Sequence, residues 1–184
     1  MEIILASQSP RRKQLLASIV PEFKVQAANI DETPKTNETP YNYVKRLALE
    51  KAKSATRNSS NVVVIGSDTS VVIDGEILGK PVDNQDAQRM LMQLSNRTHQ
   101  VMTSFSLVTQ QLEYTEVVIT DVTFTELNSE VIEQYWQTGE PQDKAGSYAI
   151  QGIGGRFVEK INGSVSSVIG LPLVELEKAM KEQL

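Results

Sequence analysis

Val62-Val63-Val64-Ile65 is an unbroken β-branched run, and it follows a strongly amphipathic stretch, Tyr41–Arg57. A run of this kind is typical of a strand covered on both faces. The stretch before it places Val44, Leu47, Ala48, Ala52 and Ala55 on one helical face, which must be buried against something. Together they demand helices layered on a sheet. The chain opens in the same way. Ile3-Ile4-Leu5-Ala6 reads as a strand, and Leu15, Leu16 and Ile19 recur at helical spacing behind Ser9-Pro10. The expected fold class is α/β, with a mixed sheet flanked by helices. Its 184 residues suit one domain spanning 1–184.

The remaining pattern fills in the sheet. Phe23–Gln26 reads as a short strand, and Ala27–Pro40 as a polar loop carrying Asp31 and Glu32. After the β-branched run come Gly66-Ser67-Asp68-Thr69, read as a strand exit, then Val71–Ile73 and Ile77–Leu78 around an Asp74-Gly75 turn. Asp83 caps a helix from Asn84 to about Ser95. Val101–Thr109 and Glu116–Thr125 read as an antiparallel pair, and Ser129 caps a helix that runs through Trp136 and stops at Gly139. Tyr148–Gln151, Arg156–Ile161 and Val165–Ile169 read as strands, the last two joined at Asn162-Gly163, and Pro172 opens a final helix. So strand-rich a second half argues against a uniformly doubly wound order.

Composition narrows the function. A formal net charge of −5 and a pI near 5.0 argue against broad binding to nucleic acid or anionic membranes. With no Cys, disulfides, thiolate catalysis and Cys-based zinc sites are excluded. No apolar run reaches membrane-spanning length, and the start, with Glu2, lacks a basic n-region, so the expected compartment is the cytoplasm.

The residues richest in chemistry are Ser7-Gln8-Ser9-Pro10-Arg11-Arg12. Ser9 is a good N-cap and Pro10 suits the first helical position. Free N–H groups, two hydroxyls and two guanidiniums therefore gather where a helix N-terminus favours anions. The alternative is a capped helix with two solvated arginines. Asp68 is either a catalytic carboxylate at a strand exit or a turn aspartate bonded to its own backbone. Lys51, on the polar side of its helix, and Lys80 are solvated lysines or phosphate ligands. Asp31 and Glu32 read as a solvated acidic pair, or, for Glu32, as a metal ligand. Phosphoric anhydride hydrolysis needs cations on the phosphates, carboxylates for a divalent metal, and a carboxylate to activate water. Arg11, Arg12, Lys51, Lys80, Glu32 and Asp68 supply that set. Any metal would have oxygen ligands, favouring Mg²⁺ or Mn²⁺. His99, the single histidine, sits at a strand start and reads as a local hydrogen-bond partner. Gly152-Ile153-Gly154-Gly155 matches no dinucleotide fingerprint. Gln151 before it offers a donor and an acceptor that match the N3–H and a carbonyl of uracil or thymine.

Read in order, Ala6-Ser7-Gln8-Ser9-Pro10-Arg11-Arg12, Asp31-Glu32, Leu47-Ala48-Leu49-Glu50-Lys51-Ala52 and Gly66-Ser67-Asp68-Thr69 resemble the Maf family. So do Gly79-Lys80-Pro81, Thr98-His99-Gln100-Val101, Gly139-Glu140-Pro141, Lys144-Ala145-Gly146 and Gly170-Leu171-Pro172-Leu173, and the resemblance covers essentially the whole chain. It implies a nucleoside triphosphate pyrophosphatase with a long curved mixed sheet, like the inosine triphosphate pyrophosphatases, and a nucleotide cleft between two lobes. The segment Lys144–Gly152 resembles the branch acting on dTTP and UTP, where the 7-methyl-GTP branch carries Ser-Glu-Gly in place of Ile150-Gln151-Gly152. Ser70 and Ser147 depart mildly from the pattern. The resemblance makes Asp68 the proton acceptor and Arg12, Thr69 and Gln151 the specificity positions. Ser7, Ser9, Arg11, Arg12, Lys51 and Lys80 would hold the triphosphate, and Glu32 with Asp68 a divalent metal. It further implies a homodimer and a role in limiting non-standard nucleotides. The competing expectation is a non-catalytic, nucleotide-sensing regulator of septum formation.

Overall fold

The structure, a computed structural model, describes residues 1–55 and 61–184. Its centre is one mixed sheet. The strands are β1 (Glu2–Leu5), β2 (Lys24–Val25), β3 (Val62–Ile73), β4 (Glu76–Leu78), β5 (Thr98–Val108), β6 (Glu113–Phe124) and β7 (Val158–Asn162). They lie in the order β2-β1-β3-β5-β6-β7, with β4 paired to β3. The pairs β1–β2 and β1–β3 are parallel and all others antiparallel. The mixed sheet expected from the sequence is therefore present. β3 and β6, at 12 residues each, extend about 40 Å at the usual rise.

Alternation along β3 assigns its faces. Val62 and Val64 pack with Ala52 and Ala55, beneath helix α2 (Pro40–Ser54), and Val72 packs with Val44. On the other face, Val63 and Ile65 meet Leu16 of α1 (Pro10–Ala17) and Leu176 of α6 (Leu173–Gln183). Val71 and Ile73 on that same face meet Met90, Leu91 and Leu94 of α3 (Asn84–Leu94), together with Ile132 and Tyr135 of α4 (Ser129–Gln137). Gly66 is where α2 comes closest: a Cβ there would stand 2.2 Å from the Ala48 carbonyl oxygen and 2.6 Å from the Ala52 nitrogen.

One edge of β3 is shared by two short strands. β1 covers Val62–Ile65 and β4 covers Val71–Ile73. Between them, Gly66–Ser70 pair, among the described residues, only with β5, so the sheet carries a notch on that edge. This corrects the expectation of a strand ending at Ile65 and resuming at Val71. The polar residues between are held extended by an unbroken antiparallel ladder, Gly66 opposite Ser106 through Ser70 opposite Met102.

Other boundaries also shift. Val165–Ile169 is a short helix, α5, and not a strand: the Ser164 hydroxyl accepts from Ser167 N at 3.2 Å, and this cap overrides the local β preference. Gly163, at φ 133°, therefore turns the chain off β7 without forming a hairpin. Tyr148–Gln151 is a turn, with Gly152 N donating to the Ala149 carbonyl, and a 3-10 segment (Ile153–Phe157) leads into β7. Asn128, not Ser129, caps α4 by accepting from Val131 N at 2.9 Å. α2 ends at Ser54; its expected end at Arg57 lies outside the described residues.

Gly66→Ala should lower stability by about 1–3 kcal/mol, because the added methyl meets helix backbone that has nowhere to go. For a chain of this size that is a fall in Tm of roughly 2–12 °C, read by thermal unfolding. A variant melting with the native protein would show that α2 does not need this close approach.

Candidate active site

A cleft of about 590 Å³ opens over the notch. The close approach at Gly66 sets its floor, since one helical turn beyond Ala48 is Lys51 and two strand residues beyond Gly66 is Asp68. Lys51 Nζ lies 2.7 Å from Asp68 Oδ1 and 2.8 Å from Glu32 Oε1. Both members of the inner pair are buried, Lys51 at 8 % and Asp68 at 7 % exposure, whereas Glu32 is exposed. The expectation of a solvated Lys51 is thus overturned: its stem lies on the helix flank, and the ammonium reaches the strand. Burial pushes the Asp68 carboxyl above its ordinary value, against the pull of Lys51 and Arg12.

The loop bearing Glu32 is fastened to α2. Arg46 grips Glu38 with two hydrogen bonds, 2.6 and 2.8 Å, and donates to the Thr33 carbonyl at 3.1 Å. The guanidinium pulls the Glu38 carboxyl down to about 2. Tyr43 OH adds a bond to the Glu32 carbonyl at 2.9 Å. Asp31 takes no part in the ion cluster; its carboxylate accepts from Thr33 N and shapes the turn.

The opposite face of β3 holds Arg12. Ser9 caps α1, its hydroxyl facing Arg12 N at 3.4 Å, with Pro10 in the first turn as the sequence implies. Arg12 Nε donates to the Gly170 carbonyl at 2.9 Å and Nη2 to Thr69 Oγ1 at 3.2 Å. Thr103 Oγ1 stands 3.0 Å from Thr69 Oγ1 and donates to the Ser167 carbonyl at 2.7 Å, tying α5 to the sheet beneath. Burial draws the Arg12 guanidinium below its ordinary value, with Asp68 opposing; an arginine remains cationic regardless.

Ser7, Ser9, Arg11, Lys80 and Gln151 all line the same cleft, so the structure gathers every residue singled out in the sequence as a site candidate. It adds others. Lys144, paired with Asp143, contributes a further cation, placed by Gly146, whose left-handed backbone donates to the Gly79 carbonyl at 3.0 Å. Tyr148 lines the cleft too, and its hydroxyl meets His99 Nε2 at 2.8 Å. His99 is thus a buried structural partner, its pKa pushed down to about 4 by burial. No periodicity marks Lys144; its signal in the sequence is the Lys144-Ala145-Gly146 segment, whose glycine takes a positive φ.

Among the described residues no three Asp, Glu or His side chains gather into a metal cage. Two carboxylates, Glu32 and Asp68, nevertheless meet at one ammonium. That donor set fits Mg²⁺, which commonly uses one or two carboxylates and completes its shell with water and substrate phosphates.

Sheet, notch and ion cluster define an α/β protein with a cation-lined cleft floored by a buried carboxylate–lysine pair. A family profile described as Maf-like protein matches residues 2–183, and the chain belongs to the Maf family. It is 51% identical over 182 residues to a Vibrio vulnificus protein named dTTP/UTP pyrophosphatase, covering 98% of each chain. A Colwellia psychrerythraea protein of the same name is 52% identical over 181 residues, 95% of this chain and 84% of that one. The solved structure of the Staphylococcus aureus Ham1 protein aligns over all of this chain and 91% of its own, with TM-score 0.49 and 19% identity.

Lys51→Met should move the Asp68 pKa further upward, because it deletes both the hydrogen bond and the charge that oppose burial. A carboxyl-carbon NMR titration reads the shift. An unchanged or lower value would mean that Lys51 and Asp68 are not paired in solution.

Proposed function

We propose that the protein hydrolyses dTTP and UTP at the α–β phosphoanhydride: nucleoside triphosphate plus water gives the monophosphate plus pyrophosphate. The observation that carries this reading is the buried Asp68–Lys51 pair, joined by Glu32, at the floor of a cleft ringed by cations. The names of the Vibrio and Colwellia relatives supply the substrate class. A module that only bound nucleotide would need the cations but not a buried, water-facing carboxylate.

In this reading Asp68 is the general base. Lys51 holds Oδ1, so Oδ2 takes the proton as water attacks the α-phosphorus, and its raised pKa brings it nearer the operating pH. Arg12 has two N–H groups engaged by Gly170 and Thr69, which fix the guanidinium and leave its remaining donors for phosphate oxygens. Arg11, Lys80, Lys144 and the hydroxyls of Ser7 and Ser9 complete the phosphate environment. These cations offset charge that redistributes onto the departing pyrophosphate. Glu32 and Asp68 would hold Mg²⁺ or Mn²⁺, which supplies Lewis-acid neutralisation of the triphosphate. Gln151 reads the base, with Arg12 and Thr69 beside the sugar–phosphate. Uracil and thymine differ by one methyl, worth about 1 kcal/mol, so both are substrates. Such an enzyme would act on the cytoplasmic nucleotide pool, with residues 1–184 forming one nucleotide pyrophosphatase domain.

Asp68→Asn should reduce kcat by about 10²–10⁴ while leaving KM near native, since the amide keeps shape and loses the proton acceptor. Near-native turnover would overturn the base assignment. Arg12→Ala and Lys80→Ala should both lower kcat/KM strongly. Lys80→Ala should keep the native Tm, as Lys80 is exposed on the cleft wall, whereas Arg12→Ala also gives up the bonds to Gly170 and Thr69 and should melt lower while still folding. For the native enzyme, the acidic limb of kcat/KM should fall above pH 3.9, the ordinary aspartate value. The base must be ionised, and burial raises its pKa, so activity is lost earlier on acidification. A limb at or below the ordinary value would contradict Asp68 as the titrating group.

A further inference from the structure

The glycine-rich segment Gly152–Gly155 has a carboxylate at its centre. Glu140, which opens a 3-10 turn (Glu140–Asp143) after α4, accepts from Ile153 N at 2.8 Å through Oε2 and from Gly154 N at 2.9 Å through Oε1. Tyr135 OH donates to Oε1 at 2.6 Å and accepts from Ala149 N at 3.2 Å. The backbone wraps closely around these two groups, and this accounts for Gly152 and Gly154, while Gly155 lies against the Ile150 carbonyl. A Cβ on Gly152 would stand 2.1 Å from Glu140 Oε2, and one on Gly154 would stand 2.5 Å from Tyr135 OH. Burial opposes ionisation of Glu140, but the Tyr135 hydroxyl and the two amides prevail and hold its carboxyl below the ordinary value.

Gln151 sits between these tethers. On one side the Ala149 amide is fixed to Tyr135; on the other the Ile153 amide is fixed to Glu140, and Gly152 N closes the turn onto the Ala149 carbonyl at 3.2 Å. Gln151 itself is exposed on the cleft wall, whereas Glu140 is not among the cleft-lining residues. An amide can choose among base edges only if its position is held to a fraction of an ångström.

We propose that Glu140 is a positioning residue for nucleobase selection: its carboxylate, oriented by Tyr135, holds the Gln151–Gly155 turn so that the Gln151 amide meets the pyrimidine edge. The inference rests on the reading of Gln151 as the base-contacting position. Glu140→Gln keeps one oxygen but sets an NH₂ against the Ile153 N–H, releasing the turn. Gly152→Ala displaces the same turn with the carboxylate intact, at an exposed position of ordinary φ, and so remains informative if Glu140→Gln does not fold.

The experiment is a kcat and KM panel on UTP, dTTP, CTP, ATP and GTP for the native enzyme, E140Q, G152A, Q151A and the E140Q/Q151A double variant. E140Q and G152A should each lose roughly 10- to 100-fold in kcat/KM on UTP and dTTP, carried by KM, and little on ATP and GTP. E140Q should add nothing to the nucleotide preference of Q151A. A changed Q151A preference beside native preferences in E140Q and G152A would overturn the role of Glu140 alone. A loss in kcat that is uniform across all five nucleotides would also overturn it. A native preference in Q151A would overturn the reading of Gln151 itself, and the positioning role with it.

Discussion

Everything at the site depends on how closely one helix lies on one strand. Gly66 has no side chain, so the backbone of α2 at Ala48 and Ala52 rests directly on β3. A helix normally packs through its side chains at a larger separation. Here Lys51, a residue that periodicity places toward solvent, instead reaches the Asp68 carboxylate two positions along the strand. The ammonium is desolvated by the same contact that brings its partner within 2.7 Å. Burial raises Asp68 while Lys51 and Arg12 restrain it, a balance that a surface carboxylate would not experience.

The second constraint is topological. β1 and β4 share one edge of β3 without meeting, and among the described residues no strand pairs with the five residues left between them on the cleft side. Side chains of successive residues there point to opposite faces, so Asp68 joins α2 while Ser67 and Thr69 join α1 and α5. The notch lets both sets serve one cleft. Ser67 Oγ and Arg12 Nε both donate to the Gly170 carbonyl, so the α5 turn is fixed by the very groups it helps to place. Arg46 and Glu38 do the equivalent for the loop that brings Glu32 in from outside.

That Ser7, Arg12, Lys51, Asp68, Lys80 and Gln151 belong together was legible in the sequence because each lies in a short, chemically distinctive segment, and all of them line the one cleft. The capped N-terminus at Ser9-Pro10 appears as read, and so does the Asp74-Gly75 turn that joins β3 to β4. The failures have specific causes. Tyr148–Gln151 looks like a strand because Tyr, Ala and Ile favour one, but Glu140 and Tyr135 draw its backbone into a turn. Val165–Ile169 has the composition of a strand, yet a serine cap and a glycine stop make it helical. Asp68 looked like a loop residue because polar residues interrupt the apolar run; its extended conformation is enforced by β5.

The sequence by itself determined the layered α/β class, the starts of α1 and α3 and the stock of cations and carboxylates, because these follow from local pattern and side-chain chemistry. Only the tertiary structure decided that Lys51 is buried, that Lys144 joins the cleft, and that a glycine-rich stretch is wound around Glu140. Those outcomes turn on distances between residues far apart in the chain, such as Arg12 with Gly170, and on backbone approaches that only a missing Cβ permits. Neither is encoded in any local window of residues; both are fixed when the helices settle on the sheet.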